Sequence, residues 1–406
     1  MNPRPSVKPK PHPSQPAPHP PTLIIRPFAA TFVNKTPPQL IADAVEEAAA
    51  ALDRHPERRR DLAEQAVMRG ALRQYPAFYL GHGPDDEAPC ATPPTPPKQS
   101  PEERLLNSVR GITGPLEMLN PISPRLGLGR GTGTLPASFG IRLAAELGHT
   151  PTGERLIDDV LAEGMPDPET SGVIPEMRED IEAALALTPD WFEIAPPDMQ
   201  GPFNIAHMVL GTEVFVLPLL EPDKFRDFMT LATDFYLALA ANLRRWIGPR
   251  YPTFPACTCR IAECSLNMVS AELYREHVLP HDRRIAEAFG QVAIHPCSGP
   301  HVFRATLENL PVVYTEAGYI AKAYAGSIRV EEAVAEIGER PIILGIGQEL
   351  PEGNEEEFFR RDLDLARANP RLLYGHTGMH WRKRDAEKIR RLHLRLDEYW
   401  ARHVWA

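Results

Sequence analysis

The sequence predicts an α/β protein, a (β/α)8 TIM-type barrel with an N-terminal helical extension. Three observations carry that expectation. From about residue 119, short apolar runs alternate with longer segments of helical periodicity. Alternation over such a length implies a parallel sheet, and about seven strand–helix units suit a closed barrel better than an open sheet. The expected strand ends also gather residues that ligate, titrate or hydrogen-bond, as the C-terminal rim of a barrel enzyme does.

Size and composition agree. The 406 residues suffice for one large barrel with additions, and 43% hydrophobic with 24% charged residues is the balance of a soluble enzyme or binding protein. The net charge of −10 argues against a broad grip on nucleic acid or an anionic membrane, so neither is expected as a partner. No apolar run approaches the roughly 20 residues that span a bilayer, and the N-terminus shows no apolar core of a secretion signal. Five cysteines (Cys90, Cys257, Cys259, Cys264, Cys297), an odd number in a long chain, fit a reducing compartment, and the cytoplasm is the expected location.

Taken in order, residues 1–22 are mostly Pro, Lys, Ser and His and form a tail expected to be disordered and dispensable. Residues 23–118 form an N-terminal helical segment, 38–75 with a break at Pro56, followed by a Pro-rich connector over 84–101. Residues 119–406 form the barrel. Its strands are expected near 125–134, 191–199, 256–264, 291–297, 311–317, 341–347 and 371–376. The helices between them include 175–188, 222–247, 271–289, 330–337, 354–368 and 384–399. The helix over 222–247 opens with Pro222 and Asp223 and lines up Phe225, Phe228, Met229, Ala232 and Phe235 on one face.

The chemistry concentrates in Val292-Ala-Ile-His-Pro-Cys297, where an apolar run breaks into Ser-Gly-Pro. Residues i and i+2 of a strand share a face, so His295 and Cys297 can meet one metal ion. Imidazole nitrogen and thiolate sulfur are zinc donors. A third ligand must come from a neighbouring strand end. In Cys257-Thr-Cys-Arg-Ile-Ala-Glu-Cys264, strand alternation puts Glu263 on the face opposite to Cys264, so Glu263 is the expected third ligand, with Cys264 the alternative where the strand has already ended and the chain turned. Cys257 and Cys259 lie near the strand's start and read as buried small residues.

Gly375-His-Thr-Gly378 places His376 at the last strand end, as a fourth ligand, a general acid or a substrate contact. Pro197-Asp-Met-Gln-Gly-Pro202 offers Asp198 for proton transfer and Gln200 for substrate, just before a helix over Phe203–Leu210. Asn204 is expected to join Gln200 as a substrate contact. Gly127-Leu-Gly-Arg-Gly-Thr-Gly133 lacks the partners of a nucleotide loop and reads as close backbone packing at the barrel mouth, with Arg130 facing an anion.

Four segments together, DMQGPFNIAHMVLGTE (198–213), LNMVSAELYREHVLP (266–280), IHPCSG (294–299) and GHTGMHWRKRDAEKI (375–389), resemble the uroporphyrinogen decarboxylase superfamily. That superfamily includes zinc-dependent methyltransferases that move a methyl group from a corrinoid protein to a thiol. The resemblance covers roughly 119–400 and implies two alternatives. His295-x-Cys297 resembles the methyltransferase zinc half-site, whose later Cys just before a Gly is replaced here by Thr377 before Gly378. On that branch a Zn2+ ion activates a thiol, the methyl comes from a corrinoid donor that is not a tightly held cofactor, and the partners are a small-molecule substrate and a corrinoid protein. Gly-His-Thr-Gly instead resembles the Gly-His-Gly of the decarboxylases, implying a metal-independent carboxy-lyase for a small or tetrapyrrole-like carboxylate. There Asp198 and His376 would handle protons and Arg130 would hold the substrate's charge. The arginine-rich N-terminal signature of those decarboxylases has no counterpart in 23–118, and the methyltransferase branch is the expectation.

Overall fold

The computed structural model describes residues 35–54, 79–80, 99–117, 124–128, 131–141, 155–252, 260–317, 327–340, 342–346, 372–373 and 375–376. Several sequence expectations lie outside these residues: the tail 1–22, the helix beyond Pro56, Cys90, Arg130, Cys257, Cys259, and the helices over 354–368 and 384–399. The chain divides into two compact units, Met1–Thr36 and Pro37–Ala406. Only Lys35 and Thr36 of the first are described.

The second unit opens with α1 (Pro37–Asp53), which buries Ile41, Ala44, Ala48, Ala51 and Leu52 at helical spacing. That stripe packs against α2 (Pro101–Glu117), which buries Leu105, Leu106 and Val109. Strand β1 (Tyr79–Leu80) lies between them in sequence, and β2 (Arg125–Gly127) and α3 (Ile157–Glu163) follow. Helix α2 also packs on α4 (Ile174–Leu187), where Arg104 Nε donates to Asp180 Oδ1 at 2.9 Å and Oδ2 at 3.1 Å.

The architecture from there is helix-rich α/β with parallel strands. After α4 come β3 (Glu193–Ala195), the buried helix α5 (Pro202–Leu210) and the long helix α6 (Pro222–Ile247). Then β4 (Arg260–Ala262), α7 (Leu279–Phe289), β5 (Val292–His295), α8 (Pro300–Asn309), β6 (Val312–Ala317), α9 (Val330–Ile337) and β7 (Ile343–Ile346) alternate strictly. β8 (Leu372–Leu373) and β9 (Gly375–His376) close the described chain. Every described pairing is parallel. β2 pairs with β3, the sheet β4-β5-β6-β7-β8 follows sequence order, and β9 pairs with β1. A parallel bridge between Gln200 and Ala262 joins the segment after β3 to β4. All four residues of β5 are buried, as a parallel strand covered on both faces requires.

Several boundaries differ from the expectation, among them the strands expected over 191–199 and 291–297, which span Glu193–Ala195 and Val292–His295. The strand expected over 125–134 ends at Gly127, and 3₁₀ turns at Gly131–Gly133 and Pro136–Phe139 follow. The helix expected over 271–289 contains a π-helical turn at Tyr274–Val278. Pro280 cannot donate the usual bond to the carbonyl of Glu276, so the helix widens there. The strand expected over 256–264 ends at Ala262, because Glu263 leaves the extended region (φ −125°, ψ 54°) and a 3₁₀ turn runs over Cys264–Met268. That boundary decides which side chain faces the site. Among the described residues no helix is long and apolar enough to cross a membrane.

Candidate metal centre

Register sets the site. Ala262 of β4 pairs with His295 of β5, and Ile294 pairs with Thr315 of β6, so the ends of three neighbouring strands lie side by side. The Glu263 N–H donates to the His295 carbonyl at 2.9 Å, extending the ladder one residue past β4. Beyond it the chain turns and brings Cys264 beside His295 and Cys297. One donor atom from each of Cys264, His295 and Cys297 falls within 4.8 Å of the others. His295 and Cys297 thus meet as their spacing predicts, but by another route. β5 ends at His295, and Cys297 stands in the left-handed region (φ 41°), the only non-glycine residue with positive φ among the described residues. Such a conformation costs on the order of 1–3 kcal/mol and persists only where the surroundings hold it. Here Ser327 Oγ donates to the Cys297 carbonyl at 3.1 Å and the Ile328 N–H to the Ser298 carbonyl at 2.9 Å.

The imidazole is aimed by Glu316 at the end of β6, whose Oε2 accepts from His295 Nδ1–H. That bond leaves Nε2 to face the sulfurs, 2.8 Å from Cys297 Sγ. Glu316 Oε1 accepts from the Tyr314 hydroxyl at 3.1 Å and lies 3.8 Å from the Arg260 guanidinium. Arg260 also donates to Asp198 Oδ1 at 3.2 Å, so a chain of polar contacts runs from half-exposed Asp198 through Arg260 and Glu316 to His295. Gly345, opposite Glu316 on β7, makes room, since a Cβ there would lie 2.9 Å from Tyr314 Cζ and 3.2 Å from Glu316 Cγ.

Proton affinities follow from these contacts. The Cys264 thiol is pushed down to about 5, first by the hydrogen bond from Cys297 and then by His295, against burial. Cys297 is pushed up by that same bond and by burial. Burial lowers the pKa of His295, but the Glu316 carboxylate and Cys264 outweigh it and raise it to about 10. These shifts share one cause, the crowding of two sulfurs, an imidazole and a carboxylate in a buried space, and a metal bound by such groups displaces their protons.

The donor set fits zinc. Zn–S near 2.3 Å and Zn–N near 2.0–2.1 Å in tetrahedral geometry separate neighbouring donors by about 3.6–3.8 Å, inside the 4.8 Å span of the cluster. His295 and Cys297 would open by less than about 1 Å. An imidazole whose far nitrogen donates to a carboxylate is the usual outer-shell arrangement of a metal-ligating histidine.

The remaining expected site residues fall elsewhere. Glu263, the expected third ligand, is fully buried and points at the start of α5. There Oε1 accepts from the Phe203 N–H at 3.1 Å and Oε2 from the Asn204 N–H at 2.9 Å. Burial and the neighbouring Asp282 carboxylate push its pKa well up. Strand alternation assigned the face wrongly because the strand had already ended. Gln200 and Asn204, expected on substrate, are buried, and Asn204 Nδ2 donates to Gln200 Oε1. His376 lies on β9, paired in register with Leu80. Glu316 is a residue that the sequence analysis does not single out; the signal that could have found it is its position near the end of the strand next to His295.

No protein-family model matches the chain. A segment of 123 residues is 29% identical to the methylated-thiol–coenzyme M methyltransferase of Methanosarcina mazei. The match covers 30% of this chain and spans 29% of the length of that relative. The fold is similar to the solved structure of a methyltransferase from Methanosarcina mazei, with a TM-score of 0.52 at 15% identity over 74% of this chain and 86% of that one.

Proposed function

We propose that the protein is a methyltransferase of α/β barrel architecture that transfers a methyl group to a thiol at a zinc ion held by Cys264, His295 and Cys297. The observation that carries this reading is the convergence of two sulfurs and a carboxylate-oriented imidazole at adjacent parallel strand ends. The sequential order of the strands and the pairing of β9 with β1 support a (β/α)8 barrel whose C-terminal rim holds the site. The likeness to the Methanosarcina mazei methyltransferases supports methyl transfer, and the resemblance of the sequence segments supports a corrinoid protein as donor.

Cys264, His295 and Cys297 would hold the zinc, which would supply the lowering of the substrate thiol's pKa. The chain's own residues do the rest. Glu316 keeps the His295 Nε2 lone pair turned toward the two sulfurs. Arg260 spans Glu316 and Asp198 and keeps that carboxylate at the mouth. Asp198, half-exposed and held by Arg260, would take the thiol's proton toward solvent. Buried Cys297 and His295 keep water away from the inner side of the site.

Elemental analysis and chelator competition test the metal. The expected result is one zinc per chain, lost in Cys264→Ser and Cys297→Ser and retained at saturating metal in Glu263→Gln. Methylcobalamin mixed with the zinc-loaded protein and a panel of thiols then tests the transfer through the visible spectrum of the corrinoid. A folded protein that takes up no added zinc overturns the reading.

A further inference from the structure

The residues flanking Cys264 are both bound to the first turn of one helix. On one side, the Glu263 carboxylate accepts the N–H groups of Phe203 and Asn204. On the other, Asn204 Oδ1 accepts the Ser265 N–H at 2.8 Å and the Ser265 hydroxyl at 2.5 Å. A backbone N–H can only donate, so these contacts fix which end of the Asn204 amide is oxygen. Since Ser265 Oγ donates to Asn204, it must accept from His207, whose Nδ1 stands 2.8 Å away and therefore carries the proton. The directed chain runs from His207 through Ser265 to Asn204, whose Nδ2 donates onward to Gln200. Asn204 and His207 are three residues apart and so share one face of α5.

All nine residues of α5 are buried, a setting in which an apolar residue at 204 is the simpler solution. A polar network there needs a use, and its fixed end is the peptide immediately after Cys264. We propose that Asn204 is a positioning residue for Cys264. Its amide, locked at the start of α5, holds the Cys264–Ser265 peptide so that the Cys264 sulfur converges on His295 and Cys297. The inference rests on the metal reading above and adds to it a residue that touches neither metal nor substrate.

Cobalt(II) separates the possibilities, because sulfur-to-cobalt charge-transfer absorption scales with the number of thiolates bound. The wild-type protein is expected to show a two-thiolate spectrum and Cys264→Ser a one-thiolate spectrum. Asn204→Ala should keep a cooperative unfolding transition, fall toward the one-thiolate intensity, and bind zinc about 10–100-fold more weakly, the usual cost of an outer-shell loss. Should Asn204→Ala fail to fold, Asn204→Ser, which keeps a polar group too short to reach Ser265, is read in the same way. A variant with wild-type intensity and zinc affinity overturns the proposal and leaves the metal centre standing. A wild-type protein that takes up neither metal overturns the metal centre itself, and the proposal with it.

Discussion

Gly201→Ala tests the coupling between packing and the metal centre. The backbone at Gly201 is ordinary extended chain (φ −70°, ψ 167°), which alanine adopts without strain, so any cost is steric. A Cβ there would lie 2.6 Å from Ile261 Cγ2 and closer still to the Glu263 carboxylate. Neither neighbour has room to move. Ile261 is fully buried, and Glu263 is fully buried with both oxygens bonded to α5. Overpacking of this kind costs about 1–3 kcal/mol. Displacing the carboxylate weakens two hydrogen bonds worth about 1.5–3 kcal/mol each when fully lost. A total near 3–5 kcal/mol is expected, with zinc affinity lowered about tenfold, or about 1.4 kcal/mol, because Glu263 precedes Cys264 in the chain. Urea unfolding and zinc competition measure the two effects. Gly127→Ala is the control, since a Cβ at Gly127 meets nothing within 4 Å and should change stability by less than about 1 kcal/mol. A Gly201→Ala protein within about 1 kcal/mol of wild type, with full zinc affinity, would refute the reasoning.

Two further outcomes are expected. Glu316→Gln removes the negative charge that orients His295 Nδ1–H, so zinc affinity measured by chelator competition should fall about 10–100-fold while Cys264 and Cys297 both remain bound. Asp282 is fully buried, receives the Tyr274 hydroxyl at 3.3 Å, and has its pKa raised by burial from 3.8 to about 8. A raised folded pKa means that its contribution is fully present below about pH 4 and is lost as pH rises through about 8. Four units at about 1.4 kcal/mol each set an upper bound near 6 kcal/mol, and proximity to Glu263 reduces what Asp282 alone contributes. Asp282→Asn cannot ionise, so its stability relative to wild type should rise by a few kcal/mol between pH 5 and 8. Parallel urea-midpoint curves for the two proteins across that range count against a buried neutral acid.

What the sequence reveals depends on how local the cause is. Helix α6 is legible to the residue. Pro222 opens it, Phe225, Phe228, Met229, Ala232 and Phe235 are buried on one face, and Gly248 in the left-handed half of the map (φ 61°) ends it. Helix α2 carries a signature that hydrophobic periodicity passes over. Ser100-Pro-Glu-Glu103 is a capping box, with the Ser100 N–H donating to Glu103 Oε2 at 2.9 Å and the Glu103 N–H to Ser100 Oγ at 3.3 Å. Glu263 is illegible for a different reason. Alternation predicts its direction only while the strand lasts, and a strand ending one or two residues early reverses which side chain faces the site. Its real partners are N–H groups about 60 residues upstream, which only the folded chain brings within reach.

The same strand-end argument accounts for the absent late cysteine. In the methyltransferases that the sequence resembles, the third ligand comes from a strand after the His-x-Cys, at the place held here by Thr377. Parallel neighbouring strands lie about 4.8 Å apart, and Ala262 and His295 are in register. Cys264 and Cys297 therefore each stand two residues past a matched pair, on adjacent strands, at a spacing zinc can bridge. On the other side of His295, Glu316 follows Thr315, the partner of Ile294. Three consecutive strand ends thus contribute a sulfur, a nitrogen with a second sulfur, and the carboxylate that orients that nitrogen. On the proposed reading, Cys264 from the strand before the His-x-Cys would complete the same donor set as a cysteine from a later strand, leaving position 377 free to differ. In a Cys264→Ser background, Thr377→Cys is expected to restore a two-thiolate cobalt spectrum, because the resemblance puts the methyltransferases' late sulfur at that position in the sequence. A spectrum that stays at one thiolate would overturn that expectation.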